Sequence, residues 1–162
     1  KMYNNLDKSF VEKIHFIHDV KIFNELQNQK KILIFDLRSR DEYNKCYLGE
    51  SVNIPYDEYD EDFFKIFSEN KIAELVYQED IKSKVLRYKR YYIAIIISEK
   101  KINRKDILAL NCEEMDRVNK SLLLYQAFIN NKVREIGLYN KGFERISSHY
   151  YFLVNNLYCN TR

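Results

Sequence analysis

Apolar positions along this 162-residue chain alternate between helical and extended spacing. Behind Asp19, a residue type that caps helices, Ile22, Phe23 and Leu26 recur at helical spacing and predict a helix over residues 20–29. Residues 31–35, continuously apolar from Ile32 and ending at Asp36, have the pattern of a strand covered on both faces. A short helix over 39–45 and a short strand over 51–54, closed by Pro55, follow. Residues 92–97 form a second fully apolar strand, and Val118, Leu122, Tyr125 and Ile129 stripe a helix. Residues 133–138 read as another strand, and a last helix over about 140–153 carries Phe143, Ile146 and Tyr150 on one face. Buried strands alternating with helices predict an α/β fold, a parallel sheet covered by helices on both faces.

Between the strands at 51–54 and 92–97 lie about 35 residues, too many for an unstructured connection. Within them, residues 57–69 combine five carboxylates up to Asp62, and Glu69, with Phe63, Phe64, Ile66 and Phe67, which predicts an acidic helix whose Phe63 and Phe67 pack on the sheet. Repeats, low-complexity tracts and Pro/Ser-rich linkers are absent, so residues 1–162 are expected to form one domain. The opening Lys1-Met2 suggests a piece of a longer protein.

Composition excludes several functions. With Gly49, Gly137 and Gly142 as the three glycines, neither a phosphate-binding P-loop nor a dinucleotide fingerprint can be written. The longest apolar run, residues 93–97, is far short of the roughly 18–20 residues that cross a bilayer. Cys46, Cys112 and Cys159 are odd in number and widely spaced, against a disulfide framework or a thiolate zinc site, and fit a reducing cytoplasm. His15 and His18 stand three apart without a third ligand nearby, so no metal is expected, and nothing in the sequence calls for a cofactor. Asn119-Lys120-Ser121 spells a glycosylation acceptor, but on a helix of a chain expected in the cytoplasm it is discounted.

Net charge is only +3, which gives no reason to expect nucleic acid as a partner, yet it is unevenly spread. Residues 36–63 hold nine acidic side chains against three basic, whereas residues 82–105 hold nine basic against Glu99 alone.

The segment ILIFDLRSRDEYNKCYLGESVNIP, residues 32–55, resembles the rhodanese-like domain. That family reads strand, Asp-x-Arg, a short helix with Glu-Phe or Glu-Tyr, Gly-His-Ile, and a short strand ending Asn-Ile-Pro. Asp36, Arg38, Glu42, Tyr43, Asn53, Ile54 and Pro55 match in order, and Cys46-Tyr47-Leu48 replaces Gly-His-Ile. KVREIGLYNKGFERI resembles the family's late strand and Gly-Gly-Phe turn, with Gly142 beside Phe143 as the surviving glycine. The resemblance spans about residues 14–153 and implies a central parallel five-stranded sheet flanked by helices on both faces. Independently of it, Asp36 at a strand end can accept backbone N–H groups or pair with Arg38 or Arg40, a structural role.

In active members of the family, the resemblance implies, the strand equivalent to residues 92–97 leads into a nucleophilic cysteine and a tight loop that cradles a persulfide or phosphate. Here Ser98 stands at that place, followed by a much longer loop, SEKKINRKDILALNCEEMDR. Sulfur transfer stores sulfur on a thiolate, which a serine hydroxyl cannot replace. Ser98 and Arg104 keep the Cys-to-Arg spacing of phosphatases sharing this fold, and together form a degenerate site. Cys112 is the alternative nucleophile of a divergent sulfurtransferase or phosphatase, although Glu113, Glu114 and Asp116 disfavour its thiolate.

The expectation is therefore a catalytically inactive regulatory module that binds a protein partner. Its binding residues are Lys82, Lys84, Arg87, Lys89 and Arg90, with Lys100, Lys101, Arg104 and Lys105 on the long loop. The first group, leading into Tyr91-Tyr92-Ile93-Ala94-Ile95, resembles a kinase-docking motif of the kind carried by rhodanese-like domains beside dual-specificity phosphatases. The same inactive fold occurs beside TBC domains, which activate the GTPase of Rab proteins, and the acidic, aromatic stretch after Asn53-Ile54-Pro55 is more similar to those. The expected partner thus belongs to a small-GTPase system or is a protein kinase, and anionic lipid headgroups are a third reading of the basic surface.

Overall fold

The computed structural model describes residues 8–29 and 31–155. The chain opens with α1 (Lys8–Glu12) and α2 (Asp19–Asn24), which runs on as a π-helical turn over Glu25–Gln29. After β1 (Ile32–Asp36) come α3 (Arg40–Lys45), β2 (Tyr47–Leu48) and β3 (Ser51–Asn53). The long connection folds as α4 (Glu61–Lys65), α5 (Glu69–Ala73), α6 (Glu79–Leu86) and a 3-10 turn at Tyr88–Arg90. Then follow β4 (Tyr92–Ile96), α7 (Arg104–Leu108), α8 (Met115–Asn130), β5 (Glu135–Tyr139) and α9 (Phe143–His149). A 3-10 turn at Tyr151–Leu153 leads into β6 (Val154–Asn155), which pairs antiparallel with β2.

β1 and β4 are continuous apolar runs because both their faces are covered. Leu33, Phe35, Ile93 and Ile95 join a core with Phe64 of α4, Val85 of α6 and Val118 and Leu122 of α8. Ile32, Ile34, Ala94 and Ile96 face the other way, onto Ile22 of α2 and Phe143 and Ile146 of α9. Strand periodicity of two sorts each strand between these cores.

The main sheet is parallel in the order β3-β1-β4-β5 and has four strands among the described residues, not the five expected. At the outer edge of β5 there is a single parallel bridge, Phe16 to Leu138. Ile17 N–H donates to Leu138 O at 3.0 Å and Leu138 N–H to His15 O at 2.8 Å. The extended stretch stops there because the His18 side chain accepts from Val20 N–H and starts α2. His18, not Asp19, is that cap; Asp19 is buried and pairs with Arg145 at 3.1 Å.

The acidic connection also departs from expectation. The single helix over 57–69 is two short ones, because Asp60 accepts from Phe63 N–H to start α4 and Ser68 accepts from Lys71 N–H to start α5. Phe64, rather than Phe63, is the buried residue, and Phe63 stacks on Tyr59 with ring centroids 4.3 Å apart. Phe67 packs on Phe128 of α8, and Ile66 is 71% exposed. The last helix ends at His149, with Tyr150 stacked on Phe23 beyond it, and Ile129 leaves the buried stripe of α8. Among the described residues no helix is long and apolar enough to cross a membrane.

Candidate functional site

Parallel strands direct their C-terminal ends to one edge of a sheet, where connecting loops form a crevice. Here the ends of β1, β4 and β5 bring together Asp36 to Arg38, Ser98 to Lys101 and Asn140 to Gly142. Arg38 is the largest fully buried side chain at this edge. Its Nε and Nη2 donate to the Asp36 carboxylate at 2.8–3.1 Å, and its Nη1 donates to Glu99 Oε1 at 2.8 Å. The carbonyls of Glu42 and Cys46 accept its remaining N–H groups, and the Phe143 ring lies 3.6 Å beneath the guanidinium carbon. Burial opposes the charge, but Asp36 and Glu99 outweigh it and hold the guanidinium pKa above its ordinary value.

The other motif residues build this turn. Ser39 and Glu42 form a reciprocal capping box that starts α3. The Asn53 amide donates to Asp36 O at 2.9 Å and Arg38 O at 3.0 Å, tying the end of β3 to the turn after β1. Pro55 is buried just past that tie, where the chain leaves the sheet.

Beyond β4, the Ser98 hydroxyl is buried and donates to the carbonyl of Lys100 in its own loop. Phe143 N–H donates to Ser98 O, Glu144 N–H to Glu99 O, and Ile102 N–H to Asn140 O, so the loop is sewn onto the start of α9. Gly142 permits this approach. Its φ is +91°, and a Cβ there would stand 2.7 Å from Lys101 N and 2.9 Å from Glu99 O.

The predicted site residues do not all gather here. Arg104 begins α7 with its guanidinium over the Phe16 ring at 4.9 Å, so the Ser98–Arg104 spacing does not translate into contact. Cys112 packs against the larger core, and burial, with Asp106 and Glu114 adding, pushes its thiol up to about 11. The basic residues fall into two groups, because Arg87, Lys89 and Arg90 precede β4 whereas Lys100, Lys101, Arg104 and Lys105 follow it. Five strand residues hold the groups about 16 Å apart. Lys82 pairs with Glu79 at 3.8 Å, and Lys84 with Glu50 at 3.4 Å.

Two residues at this edge escaped the sequence reading. Glu99 left a trace as the single acid in the basic run, but nothing local announced its pairing with Arg38. Arg117, buried in the first turn of α8, reaches Glu42 at 3.4 Å and Glu114 at 3.2 Å and lies over the Tyr56 ring at 4.1 Å. His18 serves as a helix cap, Asn119 is fully buried, and no group of three metal-ligating side chains occurs among the described residues. Cys159 lies outside the described residues.

In comparison with known proteins, the model of the rhodanese-like domain matches residues 19–149. No curated protein matches the chain.

Proposed function

Because this chain belongs to the rhodanese-like domain family, we propose that it is a non-catalytic member, a protein-binding regulatory module of a larger cytoplasmic signalling or trafficking protein. The Arg38–Glu99 pair carries this reading. Sulfur or phosphoryl transfer needs a nucleophile and cationic or N–H donors free to hold an anion. At the end of β4 the serine hydroxyl is bonded into its own loop, and the buried guanidinium is already neutralised by two carboxylates.

The partner surface is the exposed group Lys100, Lys101, Arg104 and Lys105 beside that closed site, which offers positive charge to an acidic protein surface. Lys82, Lys84, Arg87, Lys89 and Arg90 extend a second basic face at the other end of β4. A kinase-docking motif needs accessible apolar residues after its basic ones, and here Ile93 and Ile95 are fully buried. That burial favours a TBC-type host over a kinase-docking phosphatase host.

Assays for thiocyanate release from thiosulfate and cyanide, and for phosphoester hydrolysis, should show no turnover above a heat-denatured control. Fluorescence titration with a purified TBC domain should show binding that weakens on Lys100→Glu with Lys101→Glu. Turnover abolished by Cys112→Ser would replace this reading with a divergent transferase or phosphatase using Cys112.

A further inference from the structure

Nδ1 of His18 faces two groups of opposite kind. It accepts from Val20 N–H at 3.2 Å, which caps α2, and it lies 3.1 Å from the carboxylate oxygen Oδ1 of Asp19. Without a proton, a ring nitrogen accepts from an amide and offers nothing to a carboxylate. With a proton it donates to the carboxylate and no longer accepts. The two contacts exclude each other, so the one in force depends on a single proton at a single atom.

Asp19 carries the choice beyond α2. Its side chain is buried, and Arg145 of α9 donates from Nε to the same oxygen, Oδ1, at 3.1 Å. That ion pair joins α2 to α9, the two elements that the stacked rings of Phe23 and Tyr150 also bring together. The other ionisable neighbours are engaged elsewhere or neutral. Lys21 of α2 pairs with Glu25 at 3.6 Å, and Nδ1 of His149 on α9 lies 3.0 Å from the Arg145 carbonyl. Burial, with the Asp19 charge adding, raises the phenols of Tyr139 on β5 and Tyr150 after α9, so both stay uncharged where an imidazole titrates.

We propose that His18 is a proton-operated switch joining the cap of α2 to its tie with α9. With the ring neutral, Nδ1 holds the Val20 amide and the Asp19 carboxylate belongs to Arg145. When the ring takes a proton from solvent, Nδ1–H turns to Asp19 Oδ1 and the Val20 amide loses its acceptor. Arg145 then shares its oxygen with a second cation. Imidazole is the side chain that changes charge between about pH 5 and 8, and the His18 side chain is 52% exposed, open to protons from solvent. The switch rests on neither the closed Ser98 site nor the basic surface beside it.

The test is magnetic resonance on the nitrogen-labelled chain at about pH 7.5 and about pH 5. At the higher pH the His18 ring proton should sit on Nε2, and a nitrogen–nitrogen coupling should cross the hydrogen bond from Val20 to Nδ1. At the lower pH that coupling should be lost, and the Val20 N–H and Arg145 Nε–H resonances should move together as the His18 ring charges. His18→Asn keeps a side chain that caps helices but takes up no proton, so it should hold both resonances level across the same range. His15→Asn and His149→Asn, both at exposed positions, should respond as the parent does. A proton on Nδ1 at the higher pH, or no coupling there, would overturn the proposal. So would an Arg145 resonance that stays still while the ring charges, a pH response that survives His18→Asn, or one that is lost in His15→Asn or His149→Asn.

Discussion

The carboxylate of Glu99 lies 2.8 Å from Nη1 of Arg38, joining residues 61 positions apart across the ends of β1 and β4. Arg38 is fully buried and makes its other ion pair with Asp36, also fully buried, whereas the Glu99 side chain is 34% exposed. Their contributions should differ accordingly. Asp36→Asn leaves a buried guanidinium short of its main counter-charge and should cost about 3–5 kcal/mol. Glu99→Ala admits water to one donor and should cost about 1–2 kcal/mol. Urea unfolding of both variants measures the order, and a larger loss for Glu99→Ala would mean that the exposed carboxylate is the principal partner.

Cys112 makes stability depend on alkaline pH. Burial raises its thiol from 9.0 to about 11, so the folded chain keeps the proton that the unfolded chain releases. The stabilisation is complete below pH 9 and is lost as pH rises toward 11. Tyr92, raised to about 12 chiefly by burial, acts with the same sign at higher pH. Cys112→Ala should flatten the fall in melting temperature between pH 9 and 11, and alkylation of Cys112 by iodoacetamide should still be accelerating at pH 10. An alkylation midpoint near pH 8 would show an activated thiol instead.

Gly142→Ala tests the seam between the loop after β4 and α9. The new methyl would meet backbone atoms, Lys101 N at 2.7 Å and Lys100 C at 2.8 Å, at a φ of +91°. Backbone cannot rotate away as a side chain tip can, so the cost should be about 3 kcal/mol or more. Lys101→Ala, which trims only an exposed side chain, should stay within about 0.5 kcal/mol of the parent. Thermal unfolding of the pair gives the comparison.

Asn119 sits fully buried on α8, and neither atom of its amide has a hydrogen-bond partner among the described residues. Replacing an unpaired buried amide with an apolar side chain of similar volume removes its desolvation cost. Asn119→Leu should stabilise the fold by about 1 kcal/mol in urea. A loss of that size would reveal that the amide is satisfied in solution.

Elements with one strong local cause were legible. The apolar runs of β1 and β4 needed no knowledge of distant residues. Boundaries in the acidic connection were not, because Asp60 and Ser68 each start a helix where the apolar pattern runs on. The expected fifth strand failed for a similar reason, with His18 ending the extended stretch at one bridge to Leu138.

The sequence by itself determined that this is an α/β chain of the rhodanese-like pattern, with Asp36, Arg38, Asn53 and Gly142 at its turns and Ser98 after its central strand. These follow from alternation, capping and backbone freedom, which act over a few residues. Tertiary structure alone decided that Glu99 reaches Arg38, that Arg104 turns to Phe16 while Arg117 reaches Glu42, and that β4 parts the basic residues into two groups. It also set the Tyr43 hydroxyl of α3 on Ser51 O at the outer edge of β3. The reason is that charge pairing and sheet edges depend on which strand ends are brought within a few ångströms, and a sheet ordered β3-β1-β4-β5 joins positions that linear spacing keeps far apart.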